Sequence, residues 1–170
     1  MRRADLIPDC GSCAALCCEA TSFEASEDFA FDKPAGSRCR FLLRDYRCGI
    51  HSELAVRGMS GCAIYDCYGA GQRVTKAFAH AREATLERNE AFLRVRVVHE
   101  LLWLLTEAAQ RCALPELESE LTAEVEALDA FRPETLLESE LRAHERVTRA
   151  LLRRLGAALG GRRLRAPSSP

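Results

Sequence analysis

The sequence predicts a mainly α protein in which a small, irregular, cysteine-rich metal-binding module with short strands packs on an antiparallel helical bundle. Three observations carry this prediction. Eight of the nine cysteines fall between Cys10 and Cys67. From about Gln72 onward cysteines nearly vanish and apolar residues recur at helical spacing. The helical part is interrupted at Pro115, at Phe131-Arg132-Pro133 and at Gly160-Gly161, which divides it into long helices joined by short breaks. The expected domains are residues 1–70 for the module, 72–160 for the bundle and 161–170 for a disordered polar tail.

Composition sets the outer limits. A chain of 170 residues makes one domain or two small ones sharing a core. Its formal net charge is −1, which argues against broad nucleic-acid binding, because that needs a basic surface to displace counterions. Arginine greatly outnumbers lysine, and Lys33 and Lys76 are the only lysines. The segment before Cys10 has no apolar run of a secretory signal, and no stretch of about 18 apolar residues is present to span a bilayer. The expected location is therefore the cytoplasm, with no membrane or nucleic-acid partner. Thiols stay reduced there, so a cysteine cluster points to metal rather than to disulfides.

The module begins with Cys10-x2-Cys13-x3-Cys17-Cys18. Two cysteines separated by two residues can turn both sulfurs toward one ion, and Gly11-Ser12 suits that turn. In the adjacent pair Cys17-Cys18 the side chains diverge by about 100° in a helix and point to opposite faces in a strand. Such a pair serves two metals, or one thiol ligates while the other packs. Pro34-Ala35-Gly36-Ser37 reads as a turn, and Phe23, Phe29 and Phe31 read as either an aromatic wall or a modest core. Phe41-Leu42-Leu43 and Cys48-Gly49-Ile50-His51 read as the two strands of a hairpin, and Ser52 to Arg57 as a short helix leading to Cys62 and Cys67. Gly69-Ala70-Gly71 reads as a linker turn, since a phosphate loop would need a preceding strand and a Gly-Lys-Ser/Thr ending.

In the helical part, Val74, Ala77, Phe78 and Ala81 suggest a first, weaker helix. Leu93, Val97, Leu101, Leu104, Ala108 and Cys112 form one stripe, with Val98, Leu102, Leu105 and Ala109 adjacent. Leu117, Leu121, Val125 and Leu128 follow Pro115, and Leu137, Leu141, Val147, Leu151, Leu155 and Leu159 line the last helix. Trp103 is expected in the core, with a dimer contact as the alternative. His80, His99 and His144 are expected far from the cysteines, and His144 as a hydrogen-bonded core residue. Cys112 is expected as a small buried hydrophobe. The arginines at 38, 40, 44 and 47 are expected to be solvated.

The order Cys10, Cys13, Cys17-Cys18, Cys39-x-Phe41-Leu42, Cys48-x-Ile50-His51 and Arg57-Gly58-Met59-Ser60-Gly61-Cys62 resembles the bacterial cysteine-cluster proteins regarded as zinc- or iron-chelating domains, a group that includes part of the flagellin lysine methylases. The first spacing is one residue longer than that family's Cys-x2-Cys-x2-Cys-Cys, the segment before Cys62 lacks the family's Arg-Pro, and Cys67 is extra. His51 stands where the family has an aromatic residue, so it is left out of the ligand set despite its spacing from Cys48. Tyr65-Asp66-Cys67-Tyr68-Gly69-Ala70-Gly71-Gln72 and His99-Glu100-Leu101-Leu102-Trp103 are similar to the Cys-rich N-terminal region of some bacterial pentapeptide-repeat proteins, although the repeats themselves are absent here.

The expected metal ligands are Cys10, Cys13, Cys17, Cys18, Cys39, Cys48, Cys62 and Cys67. Either zinc or an iron–sulfur cluster suits them. Zinc implies two four-cysteine staples, whereas a cluster uses four thiolates and leaves the others around it. No nucleophile–base pair or nucleotide loop is recognisable. That favours a non-catalytic metal-binding protein meeting a protein partner or a second copy through its bundle, with an iron–sulfur enzyme or redox component as the alternative.

Overall fold

The computed structural model describes residues 3–79 and 85–163, so the expectations for His80, Ala81 and most of the tail lie outside the described residues. The described part is mainly helical. Short 3-10 turns at Arg3–Leu6, Cys10–Ser12 and His51–Glu53 accompany six α-helices. These are α1 (Leu16–Ala20), α2 (Ser60–Ile64), α3 (Ala70–Ala77), α4 (Thr85–Arg111), α5 (Pro115–Asp129) and α6 (Glu138–Arg163). No described helix is long and apolar enough to cross a membrane.

The chain divides into two units. One runs up to Glu100 and takes in Arg132–Leu136; the other contains Leu101–Phe131 and the residues from Leu137 on. In the first unit the expected hairpin strands shrink to isolated antiparallel bridges, Phe23 with Lys33 and Leu42 with Cys48. Backbone hydrogen bonding explains why. Leu43 N donates to Arg47 O and Gly49 N to Phe41 O, but Leu42 N turns back to Cys39 O and His51 N to Cys48 O. The donors that would extend the ladder are consumed by tight turns. Tyr46, with φ of 62°, makes the reversal abrupt.

The helix expected at Ser52–Arg57 is instead the 3-10 turn His51–Glu53 followed by a single turn. Gly58, at φ 69°, closes it, and Met59 N reaches back to Leu54 O. The helix expected to open the bundle starts slightly earlier, at Ala70, and packs on α1 and on the Cys10–Ser12 turn.

The long helices follow the sequence pattern with shifts of register. On α4 the fully buried face is Phe92, Val95, Val98, Leu102 and Leu105, while Leu93 is 41% exposed. Thus the adjacent stripe, rather than the one through Leu93, is the dominant face. Trp103 follows Leu102 by 100° around the helix and is 36% exposed, so it is not a core tryptophan. Cys112 lies just past the end of α4 and is only half-buried, with its thiol near Leu114 O at 3.5 Å.

In the second unit, α5 and α6 pack together. Pro115 occupies the first turn of α5, where its missing N–H costs no helical hydrogen bond. Leu117, Leu121 and Leu128 are buried on α5; Leu141, Thr148, Leu151 and Leu155 are buried on α6. Steps of three and four residues define this seam. Val147 and Leu159 fall off it and are exposed. α6 continues through Gly160-Gly161 to Arg163 rather than ending there. His144 is half-buried, as a hydrogen-bonded residue, with Nδ1 2.7 Å from Glu124 Oε1.

Candidate metal centre

All eight cysteines from Cys10 to Cys67 line one cavity of about 430 Å³ in the first unit. His51 lines it as well, together with Phe23, Phe29, Phe41 and Met59. The thiols stand around the wall rather than at a common point: among the described residues no three Cys, His, Asp or Glu side chains converge tightly enough to enclose one ion.

Each segment of the wall has a local cause. Asp9 shapes the first turn by accepting from Gly11 N at 2.9 Å and from the Ser12 hydroxyl at 2.7 Å. Arg47 then ties that turn to the 41–49 hairpin, donating to Cys10 O at 2.6 Å and Gly11 O at 2.8 Å. Ala15, in the left-handed region at φ 54°, starts α1 abruptly and puts Cys17 and Cys18 in its first turn. Cys39 N pairs with Cys18 O at 2.9 Å.

Phe29 lies directly against Gly61, where a Cβ would meet the ring at 2.2 Å, and stacks on Phe23 at 4.4 Å. Phe31 packs edge-on against Phe23 and Phe41. Of the two sequence readings, the aromatic wall therefore describes Phe23 and Phe29, which line the cavity, while Phe31 buttresses them from behind.

Several residues of the site were missed or misread from sequence. Gly69-Ala70-Gly71 is not a linker. A left-handed turn at Tyr68 and Gly69 starts α3, and Gly71 faces the thiols: a Cβ there would lie 2.6 Å from Cys13 Sγ and 3.9 Å from Cys67 Sγ. One helical turn on, the Thr75 hydroxyl accepts from Ala14 N at 2.9 Å. The Gly-x3-Thr spacing of one helix face was the available signal.

Lys33 is 3% exposed and donates to the carbonyls of Glu19, Thr21 and Pro34. It thus caps the C-terminal end of α1. Its rarity in an arginine-rich chain was the only hint in the sequence. Arg88 reaches Glu19 at 2.6 Å, and both are buried.

The four arginines expected to be solvated are exposed, and three of them also make structural contacts. Besides Arg47, Arg38 donates to Leu43 O and lies over the Tyr46 ring, and Arg40 lies 3.6 Å from the centre of the Phe31 ring. Their long side chains satisfy carbonyls and cover ring faces that this strand-poor segment leaves open. His99, expected far from the cluster, is 1% exposed, with Nδ1 2.6 Å from the carbonyl of Tyr68, the residue after Cys67.

The electrostatics of the cavity suit a cation. Burial pushes the Cys10 and Cys13 thiols up, and burial together with neighbouring thiols pushes Cys62 up to about 11. A hydrogen bond from Cys18 lowers Cys17 to about 7, and that bond and burial raise Cys18. Burial lowers the Lys33 ammonium, against the pull of Cys39, Cys18 and Cys17. Lys33 and Arg47 bring two positive charges near eight thiols, so a metal ion bound there would supply the further charge that thiolate ligands need. The donor set fits a thiophilic metal: eight cysteine sulfurs line the cavity, and no carboxylate is among its described lining residues.

Fold and site define a mainly helical protein with a cysteine-lined cavity. The uncharacterized protein YybG of Bacillus subtilis is 36% identical to it over 149 residues, covering 82% of this chain and 53% of that protein. The chain thus spans about half the length of the curated relative it matches. No family model matches the chain, and no solved structure matches it.

Proposed function

We propose that this is a cytoplasmic metal-binding protein whose cysteine cluster, holding zinc or an iron–sulfur cluster, staples a protein-interaction module. The observation that carries this reading is the gathering of all eight clustered cysteines onto one cavity. Cysteines drawn from a loop, two short helices, a hairpin and a turn have no packing reason to meet. Their reactivity as metal ligands supplies one. Bound metal would hold loop segments that have few strands or long helices of their own, so that binding energy becomes folding energy.

The helical part is the partner-binding element in this reading, toward a protein or a second copy. Trp103, at 36% exposure on α4, supports that role, since tryptophan is enriched where interfaces concentrate their energy. Trp103→Ala is expected to weaken self-association or partner capture and leave metal content unchanged.

A second reading, an iron–sulfur enzyme or redox component acting on a protein or small molecule, draws support from the cavity itself. About 430 Å³ lies within the range of small-molecule sites. Metal and acid-labile sulfide analysis of protein purified without oxygen, with its visible spectrum, tests both. Zinc without sulfide or colour supports the staple. Iron with matching sulfide and absorption near about 400 nm supports the cluster. Protein without metal, and unable to take up zinc or iron, overturns the metal-binding function.

A further inference from the structure

We propose that the eight cysteines form two separate four-thiolate centres for zinc-type divalent ions, Cys10, Cys13, Cys17 and Cys67 in one and Cys18, Cys39, Cys48 and Cys62 in the other. This rests on the metal-binding reading and divides its site. The first group is assembled by α3. Cys13 and Cys67 both lie within 3.9 Å of the point where Gly71 would carry a Cβ, so their sulfurs share one face of that helix. Cys10 is assigned to this group by its two-residue spacing from Cys13, in a turn held by the Arg47 clamp on Cys10 O and Gly11 O.

The second group is assembled without α3. Cys39 N bonds Cys18 O, Leu42 N bonds Cys39 O, and Leu42 bridges Cys48. Cys62 is delivered at the start of α2, where Gly61 N bonds Asp28 O and Gly61 sits under Phe29. Phe29 stacks on Phe23, whose backbone pairs with that of Lys33. This group therefore forms beside the buried ammonium and the aromatic wall, and the first beside α3.

Adjacent residues of a helix diverge by about 100°, which lets the Cys17-Cys18 pair give one thiol to each of two neighbouring centres. Four and four leaves no thiol over, and tetrahedral zinc takes four. The cavity leaves room for the sulfurs to turn inward from its wall as they lose their protons to solvent.

The test uses the full chain with zinc(II), and with cobalt(II) as a coloured substitute. Wild type is expected to bind about two zinc ions and to titrate to two equivalents of tetrahedral thiolate cobalt. Cys13→Ser, Cys67→Ser, Cys39→Ser and Cys48→Ser should each retain one equivalent. The double variant within a group, Cys13→Ser with Cys67→Ser, should also retain one. The double variant across groups, Cys13→Ser with Cys39→Ser, should retain none.

X-ray absorption of zinc-loaded wild type decides the matter even where a variant fails to fold. Four sulfurs at about 2.3 Å with no zinc–zinc scattering is the expected result. One equivalent in wild type, a zinc–zinc vector from bridging thiolates, equal losses in the two double variants, or a single iron–sulfur cluster overturns the division while leaving metal binding intact. No metal uptake at all overturns the metal-binding reading itself.

Discussion

The two units of this protein hold their folds by different means. In the unit of α5 and α6, Leu117, Leu121, Leu128, Leu141, Leu151 and Leu155 are buried at helical spacing, and Thr148 is the one buried polar residue among the described residues. In the cysteine-bearing unit, Glu19, Lys33, Arg88, Asn89 and His99 are all buried beside a scattered apolar core. One is stabilised by a periodic seam, in which each leucine contributes about 1.5–3 kcal/mol when fully buried. The other is stabilised by side chains clamping backbone carbonyls, as Arg47 and Lys33 do, around a cavity of thiols. A helix satisfies its own backbone, whereas a loop needs partners for it. A loop-rich unit therefore gains far more from a metal staple.

The largest test of that contrast is removal of metal. Chelation is expected to make residues 1–70 protease-sensitive while most of the far-ultraviolet helical signal persists, because thiolate–zinc binding reaches about 10–16 kcal/mol at neutral pH. Unchanged resistance of the cysteine segment would show that the staple does not exist.

Next come the buried side chains. Glu19→Ala leaves Arg88 charged and buried, a change that costs about 3–5 kcal/mol, and should lower the unfolding midpoint of the cysteine-bearing unit. Leu121→Ala should cost about 2–5 kcal/mol in the other unit and leave the metal count untouched. If Leu121→Ala releases metal, the two units are not independently stabilised.

Gly71→Ala sharpens the comparison at one atom. On an exposed helix this change is favourable by about 1 kcal/mol. Here the new methyl meets Cys13 Sγ at 2.6 Å, so overpacking of about 1–3 kcal/mol wins, and metal affinity should fall. A more stable variant with full metal content would remove α3 from the site. The smallest effect belongs to Arg154→Ala, which breaks an exposed pair with Glu120 between α5 and α6. Thermal denaturation should show no resolvable shift, because solvent screens such pairs.

Legibility from sequence differs between the units in the same way. Leu117, Leu121 and Leu128 were readable because a 3.6-residue period is local. Val147 was read as buried and Thr148 was not, since a one-residue step at the edge of an apolar stripe is settled only by the partner helix. Trp103 was misread for the same reason. In the cysteine segment the bridge between Leu42 and Cys48 lies within the predicted hairpin, but its extent was overestimated, because competing turn hydrogen bonds leave no trace in residue pattern.

The sequence by itself determined the helical class, the breaks at Pro115 and Pro133, and the candidate set of eight thiols, all of which are local or compositional properties. Tertiary structure alone decided that those thiols line one cavity, that Gly71 sits against Cys13, that Lys33 is buried on the end of α1, and that Arg88 reaches Glu19. The reason is separation along the chain. Contacts between residues tens of positions apart depend on how loops close in space, and neither periodicity nor spacing encodes that closure.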